Sequence, residues 1–118
     1  MRAATKEIFI TTQFEGFHCW PDAPDEVGFL RDRHRHMFHV KVEVPVTDSD
    51  REIEFILFKR DVENWIFEQW GVPAELGTLS CEHIAARLGA MCNELHDFSW
   101  VRVTVSEDGE NGAVVTVT

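Results

Sequence analysis

The stretch His34-Arg35-His36-Met37-Phe38-His39-Val40-Lys41-Val42-Glu43-Val44-Pro45-Val46 puts His34, His36, Phe38, Val40, Val42, Val44 and Val46 at every second position. A strict period of two marks a β-strand, because successive side chains leave opposite faces of a pleated backbone. One face is therefore apolar and begins with two histidines. The other carries Met37, His39, Lys41 and Glu43, as where a sheet meets solvent or a neighbouring subunit. Thr47, Asp48, Ser49 and Asp50 supply the turn that ends it.

Working outward, Glu7 to Phe17 fills both faces of an extended pattern with Ile8, Phe9, Ile10, Phe14 and Phe17, with Thr11 and Thr12 between. This β-favouring chemistry predicts a first strand ending near His18. Between the two strands, Trp20 to Arg33 holds Pro21, Pro24, Gly28 and several acids, too many breakers for regular structure. Long excursions of this kind often carry function. On the far side, Ile53 to Phe58 reads as a short strand or the entry to a helix. Val62, Trp65, Ile66 and Gln69 follow helical spacing, and Gly71 with Pro73 supplies a stop, so a helix is expected at about Phe58 to Trp70. A second helix starts at Ser80 as N-cap with Glu82 in its first turn, and shows a stripe of Ile84, Leu88, Met91 and Leu95. Val101, Val103 and Val105 alternate with Arg102 and Thr104 as far as Glu107. A turn at Asp108 to Gly112 then leads to a closing strand at Ala113 to Thr118. The order ββααββ, in one domain over residues 1–118, points to the α+β class: a four-stranded antiparallel sheet with two helices on one face.

Composition narrows the function. With 118 residues, 44% hydrophobic and 27% charged, the chain suits a packed soluble core rather than disorder or a disulfide-dense miniprotein. The net charge of -10 is unevenly spread: residues 1–60 hold 9 basic and 11 acidic side chains, residues 61–118 hold 2 and 10. Such a field repels nucleic-acid backbones and anionic lipid, so neither nucleic acid nor membrane is an expected partner. No apolar run approaches the roughly 20 residues of a membrane span. Cys19, Cys81 and Cys92 have no zinc-finger spacing, and Met1 to Gln13 shows no basic-then-apolar leader, so a reducing cytoplasm is the expected compartment.

His34 and His36 project from one strand face about 7 Å apart at the backbone, twice the rise per residue. His18, at the end of the preceding strand, joins them if the two strands pair. Three neutral imidazoles would suit a zinc ion, leaving it a full double charge and an open position, the catalytic rather than the structural arrangement. The competing reading is two partly buried core histidines without a metal. Arg31, Arg33 and Arg35 interleave with the histidines as the one concentrated basic patch, which with zinc would hold an anion such as phosphate. Equally, these arginines have Asp22, Asp25, Glu26 and Asp32 at hand as partners.

Phe14 to His18, the long loop, and His34-Arg35-His36-Met37-Phe38 together resemble the family of 6-pyruvoyl-tetrahydropterin synthase and 6-carboxytetrahydropterin synthase. There a Phe-x-x-x-His strand end is followed by His-Gly-His-Asn-Tyr or a close variant. Leu79-Ser80-Cys81-Glu82 is similar to the family's Pro-Thr-Ser-Glu helix start, and Val105-Ser106-Glu107 to the strand that ends in a pterin-anchoring glutamate. The resemblance runs over nearly the whole chain. It implies the tunnelling fold, assembly of subunits into a homo-oligomeric barrel with sites between them, and His18, His34 and His36 as zinc ligands. It also implies Glu107 as the carboxylate gripping a pteridine or purine-like ring, with Glu82 as a further candidate, while Arg35 is a substrate-binding candidate from the basic patch alone. The implied activity is that of a carbon-oxygen lyase acting on 7,8-dihydroneopterin triphosphate or a related pteridine. The alternative is a catalytically inactive, zinc-containing pterin- or purine-binding module.

The chain departs from the family pattern where protons are moved. The family places a cysteine base four residues before the first histidine of the pair, where this sequence has Leu30. An Asp-His pair is expected near Trp70 and Gly71, and no Asp-His dipeptide occurs there. Cys19, next to His18, is the nearest substitute, since a thiol beside zinc has a lowered pKa, although strand neighbours point to opposite faces. His83 and His96 are further substitutes, and Cys81 and Cys92 read as small buried residues.

Overall fold

A computed structural model describes residues 2–118 as an α+β fold of five strands and two α-helices. The strands are β1 (Lys6–His18), β2 (His34–Val46), β3 (Ala74–Glu75), β4 (Val101–Glu107) and β5 (Asn111–Val117). The helices are α1 (Phe55–Trp70) and α2 (Cys81–His96). The sheet order is β3-β1-β2-β4-β5, antiparallel except for β3, which runs parallel to β1.

The period of two in β2 decides the layering. Phe38, Val40, Val42 and Val44 are all at most 2% exposed. Burying each is worth about 1.5–3 kcal/mol relative to leaving it in water. They meet Ile10 and Phe14 of β1 and Val101, Val103 and Val105 of β4 on the same face, where both α-helices pack. α1 contributes Phe58, Val62, Ile66 and Trp70, and α2 contributes Ile84, Ala85, Leu88, Met91 and Cys92. At Gly89 a Cβ would lie 2.6 Å from a methyl of Val117, so glycine is what lets α2 approach β5 closely. Among the described residues no helix is long and apolar enough to cross a membrane.

Four details differ from the sequence expectation. The sheet has five strands rather than four, because two-residue β3 is too short to show any period. α1 begins at Phe55, its free N–H groups capped by the Glu54 carboxylate, which accepts from Ile56 and Leu57. That resolves the ambiguous Ile53 to Phe58 run as helix entry. The excursion after β1 contains a 3₁₀ turn at Asp25–Leu30 despite its breakers. Leu95 is exposed, and the buried stripe of α2 runs through Cys81, Ala85 and Cys92 as well as Ile84, Leu88 and Met91.

β3 does more than extend the sheet. It pairs with Gly16 and Phe17, and the Leu76 N–H donates to Phe17 O at 2.9 Å. Next, the Cys19 N–H donates to Gly77 O at 2.9 Å. These bonds lay residues 76–80 across the end of β1 and bring the start of α2 over His18.

Candidate metal centre and its cavity

The β1/β2 register pairs His18 with His34 and Gly16 with His36, so three imidazoles gather at one end of the sheet on its helix-covered face. Ring centroids are 4.6 Å apart for His18 and His34, 5.3 Å for His18 and His36, and 4.9 Å for His34 and His36. One nitrogen from each lies within 4.8 Å of the others. The strand pairing anticipated from the period is what assembles them.

The second nitrogen of each ring is engaged by an oxygen. His18 Nδ1 meets Leu79 O at 2.8 Å, His34 Nδ1 meets Asp32 O at 2.8 Å, and His36 Nδ1 meets Asp108 Oδ2 at 2.7 Å. Carbonyl and carboxylate oxygens only accept, so Nδ1 carries the proton in each neutral ring and Nε2 presents a lone pair. The Nε2 atoms of His34 and His36 are buried without a hydrogen-bond partner. His18 Nε2 lies 3.0 Å from Glu107 Oε2, which is also 3.6 Å from His36 Nε2. Unpartnered buried acceptors converging on one point fit a cation, and imidazole nitrogens with an outer oxygen on Nδ1 are the usual ligands of a first-row metal.

Asp108 is part of this arrangement, and sequence reasoning read it only as a turn acid. Its Oδ1 accepts the Met37 N–H at 2.9 Å, and its own N–H donates to Met37 O at 2.7 Å. The carboxylate is thereby locked beneath His36. The hydrogen bond from His36, and then that from Met37, hold its pKa below the usual carboxylate range. The available signal is the register: β2/β4 pairing of Phe38 with Glu107 sets Asp108 beside Met37, one residue from His36.

A cavity of about 600 Å³ opens beside the cluster, lined by Cys19, Trp20, Leu30, Leu79, Glu82 and Glu107, along with His18 and His34. Cys19 faces it because β1 has ended at His18, so the alternation that would have turned it away no longer applies. Leu30 presents hydrocarbon to the cavity, where the resemblance expects a thiol. Arg35 does not join the cavity. It lies on the opposite face of β2, paired with Glu15. Arg33 pairs with Glu75 and Arg31 with Asp25, so carboxylates neutralise the basic patch, only one of which is a near neighbour in sequence.

Trp70 is a core residue, stacked on Phe14 at 6.2 Å and edge-on to Trp65 at 5.2 Å, and Gly71 closes α1 with φ 86°. His83 completes a capping box with Ser80, its Nδ1 accepting the Ser80 N–H at 3.2 Å while its own N–H donates to Ser80 Oγ at 3.1 Å. His96 packs against Phe58 and Phe98. Burial, with Glu107 and Glu82 nearby, pushes the Cys81 thiol up to about 12, and burial does the same to Cys92. Neither is a ready thiolate, in keeping with their reading as buried residues.

No protein-family model matches the sequence, and no curated protein matches it. Solved structures do. The chain superposes on the 6-pyruvoyl tetrahydropterin synthase of Plasmodium falciparum with a TM-score of 0.72 at 16% identity, over 98% of this chain and 99% of that one. The Plasmodium vivax synthase, carrying alanine in place of a glutamate described as a catalytic residue, gives 0.69 at 15% identity, over 98% and 99%. An archaeosine synthase QueF-like protein in its apo form gives 0.50 at 15% identity, over 98% and 94%. The fold is thus the tunnelling fold of the 6-pyruvoyl tetrahydropterin synthases, with a short fifth strand added to the four expected.

Proposed function

We propose that this protein is a metal-dependent, tetrahydropterin-synthase-like enzyme that binds 7,8-dihydroneopterin triphosphate or a related pteridine in the cavity beside His18, His34 and His36. The observation that carries the reading is the convergence of three Nε2 lone pairs, each with its tautomer fixed by an oxygen on Nδ1. Zinc is the metal best suited to such a donor set, and when bound it supplies Lewis acidity toward substrate oxygens. The cavity's own groups do the rest. Glu107 offers carboxylate oxygens to the amino and ring N–H donors of a pteridine, and Trp20, Leu30 and Leu79 give apolar surface for its ring.

The proton-moving group is then a cavity carboxylate rather than the missing cysteine. A fold neighbour whose catalytic residue is a glutamate supports this chemistry, and Glu82, at the start of α2, is the residue assigned to it. The uncovered edge of β5 and the unpaired length of β1 favour a homo-oligomer in which edges of neighbouring subunits pair and sites lie between subunits.

The test is turnover of dihydroneopterin triphosphate by zinc-loaded protein, with Glu82→Gln beside the unaltered chain. The expected result is conversion that falls by roughly 100-fold or more in the variant, the usual loss with a general base. Tight pteridine binding without conversion would reject the synthase reading. It would favour the second reading, a binding module, for which the hydrocarbon at Leu30 and the core packing of Trp70 are the specific observations.

A further inference from the structure

The contact between Glu107 and His18 is hard to explain as an ordinary hydrogen bond. With Nδ1 of His18 donating to Leu79 O, its Nε2 holds a lone pair that faces the Glu107 Oε2 acceptor at 3.0 Å. His36 repeats the conflict: Nδ1 is committed to Asp108, and Nε2 faces the same Oε2 at 3.6 Å. Two acceptors that close repel unless a cation lies between them. A single proton relieves one of these contacts, not both.

We propose that Glu107 is itself a ligand of the centre, so that the donor set is three imidazole Nε2 atoms and one carboxylate oxygen. The inference rests on the metal reading of the histidine cluster and goes beyond it by moving Glu107 from the substrate side to the metal side. Zinc-ligand distances of roughly 2.0–2.1 Å at a tetrahedral angle put two ligand atoms about 3.3 Å apart. The separations of 3.0 and 3.6 Å fall on either side of that spacing. The placement is built into the backbone, since Glu107 ends β4 opposite Phe38, and Asp108 is tied to Met37 by two hydrogen bonds immediately after it. The Glu107 side chain is 26% exposed, shielded enough for its charge to matter to a cation.

A metal-bound Oε2 leaves Glu107 only Oε1 for substrate, so it cannot also form a two-oxygen clamp on a pteridine. The second acceptor must then come from elsewhere in the cavity lining.

The experiment uses cobalt(II) as probe on the full chain stripped with chelator, recording visible absorption and affinity by competition. Glu107→Gln should shift and weaken the cobalt bands. It should also lower affinity by at least the roughly 10- to 100-fold that loss of an outer-shell partner costs. Glu82→Gln removes the same charge from the same cavity and should leave the bands in place, separating ligation from simple electrostatics. If Glu107→Gln binds cobalt with the unaltered spectrum, the inference fails while the histidine centre stands. If the unaltered protein binds no cobalt, or His34→Ala keeps its spectrum, the histidine reading fails and takes the inference with it. Crystals of the cobalt-loaded natural chain give a readout independent of any variant's folding: Oε2 within about 2.2 Å of the metal supports ligation, and Oε2 turned away rejects it.

Discussion

At the histidine end of the cavity every imidazole is oriented by an oxygen: Leu79 O for His18, Asp32 O for His34 and the Asp108 carboxylate for His36. At the positions where the resemblance expects a proton-moving set, packing has taken over. Leu30 offers hydrocarbon, Trp70 stacks on Phe14, and Gly71 serves as a helix terminus. One region is shaped by directional polar contacts and the other by contact area. A histidine cluster with the geometry to hold a cation therefore sits beside a hydrocarbon cavity wall at Leu30 and a packed aromatic core at Trp70. The histidines hang on two paired strands, whereas Trp70 and Gly71 belong to the C-terminal end of α1, and Trp70 reaches the cluster through the rings of Phe14 and Phe38.

The contrast breaks most visibly at Trp70. Trp70→Ala should cost about 3–5 kcal/mol of stability in a denaturant titration, the range for deleting a large buried aromatic, and the folded fraction should still bind metal normally. Loss of metal binding in protein that remains folded would mean the two regions are coupled. His36→Ala should do the reverse, lowering metal affinity beyond the roughly 10- to 100-fold of an outer-shell loss. Its denaturation midpoint without metal should change little, as measured by calorimetric titration beside chemical unfolding. Asp108→Ala comes next, with affinity expected to fall by roughly 10- to 100-fold. Asp108→Asn keeps an oxygen for the His36 Nδ1–H and should recover part of that loss. Equal losses in the two variants would show that Asp108 acts through its charge and not by orienting the ring.

How much of this was readable in the chain follows from the range of each interaction. The period of two in β2, the Ser80 cap and the alternation in β4 are local signals, and they gave the element order and the two-layer plan. β3 was invisible because two residues carry no period, and its partners Gly16 and Phe17 lie far away in sequence. The start of α1 was blurred because Glu54 is an unusual N-cap. His18, His34 and His36 were legible since strand pairing alone brings them together. Leu79 O and Asp32 O were not, because each depends on how a loop folds back, and Asp108 shows only once the β2/β4 register is fixed. The arginines show the same limit: Arg31 takes its near neighbour Asp25, but Glu15 and Glu75 reach Arg35 and Arg33 only through tertiary structure.

Arg35 yields the smallest and most diagnostic effect. It sits between His34 and His36 in sequence yet on the other face of the strand, half exposed and paired with half-exposed Glu15. Solvent screens such a pair, and exposed ion pairs contribute about 0–1 kcal/mol. Arg35→Ala should therefore shift the denaturation midpoint only slightly and leave metal affinity unchanged, because no atom of Arg35 orients an imidazole. Retained metal affinity together with weakened pteridine binding at high protein concentration, but not at low, would mean that Arg35 reaches a neighbouring subunit's cavity across the uncovered sheet face. A large drop in metal affinity of the isolated subunit would instead show that the two faces of β2 are not independent, because strand alternation places this side chain away from the centre.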